Sequence, residues 1–246
     1  MFIGKKMLKI ESVSCVFDAV KALNQVSFSI NAGEILGLIG PNGSGKSTLF
    51  NLLTGLYWPS SGKAFFQGKS ILGKPAHFLS SIGISRTFQT PRFYQRMTVK
   101  ENLAVARHAL ANNIDRTHNN FEYDLNELLN LAGLAGSGDR LTSELSLPDQ
   151  RKLELVRTQV GTSKLILLDE PTGGMTPRET DETGALLRRL MSQGQSCIII
   201  DHKIELIRNL CPRTVVLNHG NKIANGPTVQ VLEDEAVVDA YWGLAK

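Results

Sequence analysis

Between Ile35 and Thr54 the chain reads Ile-Leu-Gly-Leu-Ile39, then Gly40-Pro-Asn-Gly-Ser-Gly-Lys-Ser47, then a helix-prone stretch through Leu49, Phe50, Leu52 and Leu53. An apolar strand that runs into a glycine-rich loop and straight on into a helix leaves few folds open. Residues 40–47 satisfy the spacing GxxxxGK[ST], in the strand, loop and helix context that gives that spacing its meaning. The glycines let successive backbone N–H groups wrap an anion, and the positive end of the following helix adds to the attraction. The cradle comprises Gly40, Pro41, Asn42, Gly43, Ser44, Gly45, Lys46, Ser47 and Thr48. In it, Lys46 is suited to bridge the β- and γ-phosphates of a nucleotide and the Ser47 hydroxyl to coordinate Mg²⁺. The competing reading is an ordinary glycine-rich turn before a helix.

A second segment supplies what a phosphate cradle lacks. Leu165-Ile-Leu-Leu-Asp169-Glu170-Pro171 is an apolar strand that ends on two carboxylates. Ligands of open parallel sheets bind at the carboxyl ends of the strands, so this end and the phosphate loop can meet. Asp169 would then hold the Mg²⁺ shell, and Glu170 would polarise an attacking water as general base. Alone, the two acids would read as the solvated end of a strand before a proline turn.

The surroundings of these motifs are those of an α/β protein. Leu8 to Phe17, Val26 to Ile30, Ile35 to Ile39 and Lys63 to Gln67 have strand character. Helical spacing covers Asn102 to Ala111, Asp124 to Ala132 and Gln150 to Val160, forming a helical insert. Leu165 to Leu168 and Cys197 to Ile200, joined by a helical Arg178 to Met191, make a crossover that predicts a parallel sheet. With 246 residues, of which 42% are hydrophobic and 20% charged, the chain can bury a full core as one large domain or two intimate lobes. Its net charge of +4 is dispersed, so a nucleic-acid partner is not demanded. Cys15, Cys197 and Cys211 have no CxxC spacing and predict neither a disulfide framework nor a zinc site. No window offers the roughly 18 apolar residues of a spanning helix, and the opening Met1 to Met7 lacks the apolar stretch of a signal peptide. A reducing cytoplasm fits, and any link to a membrane has to come through a partner.

From about Leu8 onward the sequence resembles the ATP-binding-cassette (ABC) ATPases. Phe17, before Ala22-Leu23 and Val26-Ser-Phe28, matches the aromatic that stacks on adenine in that family. Gln89, in Ser85-Arg-Thr-Phe-Gln89, matches the loop glutamine that senses Mg²⁺ and the γ-phosphate, and His202, after Ile198-Ile-Ile-Asp201, matches the switch histidine. By themselves, a core phenylalanine and a structural histidine would be the ordinary readings. His77, His108, His118 and His219 have no such match and are read as surface or structural. The segments Arg86-Thr-Phe-Gln-Thr-Pro-Arg-Phe93, Met97-Thr-Val-Lys-Glu-Asn-Leu103, Asn225-Gly-Pro227 and Ala240-Tyr-Trp-Gly243 are similar to the ATPases of branched-chain and hydrophobic amino-acid importers. That subgroup also includes urea-type importers and the lipopolysaccharide-export ATPase.

The resemblance implies a P-loop NTPase nucleotide-binding domain over residues 1–246. Its core and N-terminal β-subdomain would occupy about 8–89 and 161–246, with an inserted helical signature lobe at 90–160. It implies Glu170, His202, Gln89 and Lys46 as catalytic residues, and Ser47, Gln89 and Asp169 around Mg²⁺. It also implies a head-to-tail dimer, homo- or heteromeric, in which ATP bound by one subunit is covered by Ser146 of the other. Further implied partners are transmembrane permease subunits docking near Gln89 and the helical lobe, and a periplasmic or extracellular solute-binding protein. The chain would then lie at the cytoplasmic face of the inner membrane. The alternatives are the motor of a urea importer or a lipid or lipopolysaccharide exporter, or a cassette protein of regulation, repair or translation.

Two segments depart from the family pattern. The signature LSGGQ is here Leu145-Ser-Leu-Pro-Asp149, followed by Gln150, with both glycines replaced and an acid in place of glutamine. Proline has no N–H to offer a phosphate and Asp149 brings a negative charge towards an anion, so the contact should weaken. Ser146 is equally suited to cap a helix, with Pro148 in its first turn. In Gly173-Gly-Met-Thr176, Thr176 stands where the family carries Asn or Asp, which leaves fewer hydrogen bonds for communication between subunits.

Overall fold

The computed structural model describes residues 6–111, 124–160, 163–192 and 194–242. His118 lies outside them, as do residues 1–5, Gly243 and the side chain of His108.

Two sheets form the frame. The first is antiparallel, in the order β2-β1-β4-β5, from β1 (Lys6–Phe17), β2 (Val20–Asn31), β4 (Ser61–Phe66) and β5 (Lys69–Ser70). The second is ordered β10-β9-β3-β8-β7-β6, from β3 (Ile35–Ile39), β6 (Ile84–Arg86), β7 (Leu165–Asp169), β8 (Ser196–Ile200), β9 (Arg213–Asn218) and β10 (Asn221–Pro227). The pairs β9·β3, β3·β8, β8·β7 and β7·β6 are parallel, and β10 closes one edge by an antiparallel hairpin. The predicted crossover is present: β7 and β8 pair in parallel register from Leu165↔Ser196 to Asp169↔Ile200, joined through α6 (Pro177–Met191).

Period-two alternation in the central strands decides which residues face which layer. Leu165, Leu167, Ile198 and Ile200 join a core with α1 (Lys46–Leu53) and the antiparallel sheet, through Leu49, Phe50, Leu8, Ile30 and Phe66. Their neighbours Ile166, Leu168, Cys197 and Ile199 face the other side. There they pack with Leu153 and Val156 of α5 (Leu147–Gln159), Leu187 and Leu190 of α6, and Ile207 of α7 (Ile204–Leu210). The sheet is buried on both faces, which is why its strands read as continuous apolar runs rather than alternating ones.

Helices α3 (Val99–Ala111), α4 (Leu125–Leu131) and α5 fall within 90–160, and α2 (Ala76–Ser81) precedes β6. Helix α3 starts three residues before the predicted Asn102. Thr98 and Glu101 bond each other's backbone N–H groups in a capping box, and Asn102 is buried in the first turn, bonded to Tyr94. Strand β2 starts at Val20, six residues before the predicted Val26, because a β-bulge with Gln25 at φ 51° carries the pairing past the polar Asn24-Gln25. The chain closes with α8 (Thr228–Glu233) and α9 (Glu235–Trp242). Among the described residues no helix is long and apolar enough to cross a membrane.

Candidate functional site

Each parallel strand of the second sheet delivers one part of a single constellation at its carboxyl end. Strand β3 leads into the loop Gly40–Gly45, β6 into Gln89, β7 into Glu170, β8 into His202, and β9 into His219. Because β8 lies between β3 and β7, the phosphate loop and the carboxylates face each other across one strand.

The loop is locked from below and open at its helix. Gly45 adopts φ 105°, and a Cβ there would sit 2.5 Å from the Ala22 carbonyl oxygen, so no other residue fits without moving β2. As the N-cap of α1 it leaves the first-turn N–H groups without a side-chain acceptor. That turn also carries no acid, so the positive end of α1 faces the loop uncompensated. Lys46, 7% exposed, donates from Nζ to the carbonyls of Gly40 at 2.7 Å and Pro41 at 2.9 Å, and to Ser44 Oγ at 3.3 Å. Burial pushes its ammonium pKa down, while the Glu170 and Asp169 carboxylates pull it back up. The loop residues 42–48 line a cleft of about 310 Å³ with Val20, Lys21, Ala22, Glu170, His202 and His219.

Glu170 is the centre of the arrangement. Its φ of 50° is uncommon for a side chain of this size, and it turns the chain sharply out of β7 while its N–H stays bonded to Ile200 O at 2.8 Å. Its Oε2 accepts from Gln89 Nε2 at 3.1 Å, and its Oε1 lies 3.1 Å from His202 Nε2. An ionised carboxylate only accepts, so Nε2 carries the proton. Three side chains expected to act together are thus joined directly.

Sequence reasoning assigned no role to five residues that hold this constellation. Arg86 forms a buried ion pair with Asp169, Nη2 to Oδ2 at 2.7 Å and both side chains 9% exposed, while its Nη1 donates to Asn51 Oδ1 at 2.6 Å. Arg151, from the first turns of α5, donates to the backbone carbonyl of Glu170 at 2.9 Å and to that of Gln89 at 3.0 Å. The helical segment therefore grips both the Gln89 and the Glu170 loops. Asp201 and Lys203 flank His202 and bond to the loop after Glu170. Tyr241 of α9 accepts the Gly40 N–H at 2.7 Å, and burial raises its phenol to about 12. All five depend on partners remote in sequence, so local pattern could not reveal them.

Phe17 is not among the residues that line the cleft. It stands at the β1–β2 turn, 42% exposed, edge-on to Tyr57 with ring centroids 5.2 Å apart, and its cross-strand partner Val20 does line the cleft. Ser146 is exposed and is the N-cap of α5: its Oγ accepts from the Asp149 N–H at 3.3 Å and donates to Asp149 Oδ2 at 2.8 Å. Pro148 sits in the first turn, where its missing N–H costs no helical bond. His77 and His219 are exposed.

Oxygen donors from Ser47, Asp169 and Gln89 are the hard ligands that Mg²⁺ selects. Among the described residues no group of three or more His, Cys, Asp or Glu could hold a metal alone. A hydrated ion carried on phosphate oxygens suits that spare donor set.

Comparison with known proteins places these features in a family. The ABC transporter family model matches residues 23–173, from within β2 into the loop after Glu170. The chain is 34% identical to the high-affinity branched-chain amino acid transport ATP-binding protein LivG of Escherichia coli, covering 98% of this chain and 100% of that one. To BraF of Pseudomonas aeruginosa, named for the same transport, it is 32% identical with the same coverage. Among solved structures, the ADP conformation of MJ1267, an ATP-binding cassette of an ABC transporter, superposes with a TM-score of 0.84 at 31% identity, over 97% of this chain and 99% of that one.

Proposed function

The chain belongs to the ABC transporter family as an ATP-hydrolysing subunit, and from that premise we propose that it energises uptake of a branched-chain or other hydrophobic amino acid. Two such subunits, alike or different, close head to tail at the cytoplasmic face of the inner membrane. They work beneath transmembrane permeases that receive solute from a binding protein. The cargo reading is supported by full-length likeness to LivG and BraF, whose names specify branched-chain amino acids.

The observation that carries the mechanism is the Glu170 carboxylate held between Gln89 and His202, each at 3.1 Å. Bound Mg-ATP supplies the phosphoanhydride to be cleaved and a cation that spreads the developing charge. Glu170 accepts the proton of the attacking water, and the Nε2–H of His202 and the amide of Gln89 fix the carboxylate that receives it. Lys46 exchanges its loop carbonyls for phosphate oxygens, a substitution of acceptors that leaves the ammonium paired throughout. Ser47 and Asp169 would hold the cation, with Arg86 orienting the Asp169 carboxylate through its other oxygen. Phe17 offers an exposed aromatic face for the adenine one residue pair from the cleft.

Glu170→Gln keeps the shape of the carboxylate and removes the base. Turnover of Mg-ATP should fall by about a thousandfold, while the variant forms an ATP-dependent dimer measurable by light scattering. A variant that hydrolyses at the parental rate, or stays monomeric in saturating ATP with every candidate partner cassette, would refute the mechanism. For the cargo, leucine-loaded binding protein should stimulate the ATPase in proteoliposomes that contain the permeases. Stimulation by lipid alone would instead indicate an exporter.

A further inference from the structure

The loop Gly173–Thr176 follows Glu170 and carries the position expected to reach the opposite subunit. Thr176 spends its hydrogen bonds locally: Oγ1 donates to Glu179 Oε2 at 2.8 Å, the Thr176 N–H donates to the same oxygen at 2.7 Å, and the Glu179 N–H returns to Oγ1 at 3.4 Å. A hydroxyl has one proton, and this one is committed to a capping box at the start of α6. Any mechanical connection from this loop to the site therefore runs through other groups.

Besides the chain itself and the Gly173 N–H, which donates to the Glu170 carbonyl at 3.1 Å, those groups are the two neighbours of His202. Asp201 is buried, and its Oδ2 accepts from the N–H and the hydroxyl of buried Thr172 at 3.2 and 2.7 Å, while its Oδ1 accepts the Lys203 N–H at 2.9 Å. Lys203 reaches past the loop and donates from Nζ to the Met175 carbonyl at 2.7 Å and to Thr180 Oγ1 at 2.5 Å. The residues on either side of His202 thus hold the two ends of the segment 172–175. One end is a buried carboxylate network without slack. The other is a long, half-buried lysine on the rim of a groove of about 730 Å³ between α6 and α7, its ammonium held by two acceptors.

We propose that Lys203 is a positioning residue for hydrolysis. Its ammonium ties the Met175 carbonyl to the backbone that carries His202, so that displacement of the Gly173–Thr176 loop by the opposite subunit moves His202 and, through the 3.1 Å bond, the Glu170 carboxylate. Thr172 and Asp201 act as the hinge pin and Lys203 as the lever. This role rests on the pairing of two cassettes proposed above. It accounts for a cross-subunit loop that keeps its connection to the site even though Thr176 bonds only to its own helix.

The test uses full-length protein with Lys203→Met and Lys203→Arg. Lys203→Met keeps the stem and removes the charged donor, and should lower kcat for ATP about tenfold while KM for ATP stays within about twofold. Lys203→Arg, which can still donate to Met175 O, should recover most of the rate. In the Glu170→Gln background, Mg-ATP should slow hydrogen exchange of the peptides spanning 172–177 and 199–204 together when Lys203 is present. With Lys203→Met, 172–177 should still respond where the opposite subunit covers it, while the slowing at 199–204 should shrink severalfold. An unchanged kcat in Lys203→Met, or undiminished protection of 199–204, overturns the proposal. So does a loss of rate that is accompanied by a lowered Tm and not restored by Lys203→Arg, since that describes a brace of the fold. If Glu170→Gln with Lys203 intact never pairs, the two-cassette reading fails and takes this role with it. If it pairs while Lys203→Met turns over normally, only the lysine's role is lost.

Discussion

At the carboxyl edge of the six-stranded sheet, Lys46, Gln89, Asp169, Glu170 and His202 are set by strands whose registers leave no freedom: a one-residue slip of β7 against β8 would turn Leu165 and Leu167 out of one core and into the other. At the N-terminus of α5, the segment Leu145–Gln150 is anchored at one end by buried Leu145 and otherwise set by a helix cap. There Leu147 is 48% exposed and the Ser146 hydroxyl donates to Asp149, three residues away in its own chain. The first region has its chemistry fixed by the core beneath it. The second keeps its fold under changed side chains, because a helix N-terminus needs only Ser146 at the cap and tolerates Pro148 in the first turn. If the proposed site is built half on strand ends and half on this helix end, the helix end is the half free to vary first.

Arg151 is where the two regions meet, and of the changes that test this contrast its removal should have the largest effect. Arg151→Met leaves the Gln89 and Glu170 carbonyls without their charged donor, at a cost of about 3 kcal/mol. If the contact matters mainly in the closed complex, the loss appears as about a hundredfold in kcat. If it braces the resting fold, it appears in the urea midpoint instead, and steady-state kinetics beside urea titration separate the two.

A middle-sized effect is expected from restoring the second region. Leu147→Gly with Pro148→Gly gives back a backbone N–H and removes an exposed apolar side chain. ATP-dependent pairing in the Glu170→Gln background should tighten about fivefold, opposed by about 1 kcal/mol of lost helix stability at the first turn. Unchanged pairing, measured by light scattering against ATP concentration, would show that this end contributes little contact in either form.

The smallest effect is confined to alkaline solution. The Tyr241 phenol is raised to about 12 in the folded protein, above the roughly 10 of an unfolded chain. Its contribution is intact below about pH 10 and is lost as pH climbs towards 12, since ionisation is easier once the chain unfolds. Tyr241→Phe should lower stability by about 1 kcal/mol at pH 8 and flatten the decline between pH 10 and 12. The slope that remains includes Cys211, also raised to about 12, and Cys197, both by burial. Thermal melts at stepped pH would measure both quantities.

Where the sequence made the fold legible, a short-range rule was decisive. Strand β3 matches its expected bounds because a continuous apolar run ends at a glycine loop, and α6 starts where Thr176, Pro177 and Glu179 form a readable cap. Strand β6 lies outside the expected elements because three residues carry no period, and so does the β9–β10 hairpin, whose signal is only the apolar Val215 to Leu217 before His219-Gly220. Lys46, Asp169 and Glu170 were legible because backbone geometry and phosphate chemistry demand those residue types at those spacings. The roles of Gln89 and His202 came from family likeness, and the structure then brings both onto Glu170. Arg86, Arg151, Asp201 and Lys203 act on atoms that lie 19 to 83 positions away, which no window of sequence contains.

The order of strands in the second sheet also sets a timetable for synthesis. Strand β3, which presents the phosphate loop, lies between β8 and β9, with Ile35 against Cys197 and Gly37 against Thr214. A ribosome therefore finishes the loop's sequence long before it makes either strand that holds the loop in shape. Non-local pairing of this kind is slow and exposes apolar edges while it waits. Gly40 and Lys46 emerge early, but a chain stalled before Arg213 lacks β9, and the lining of its nucleotide cleft lacks His219.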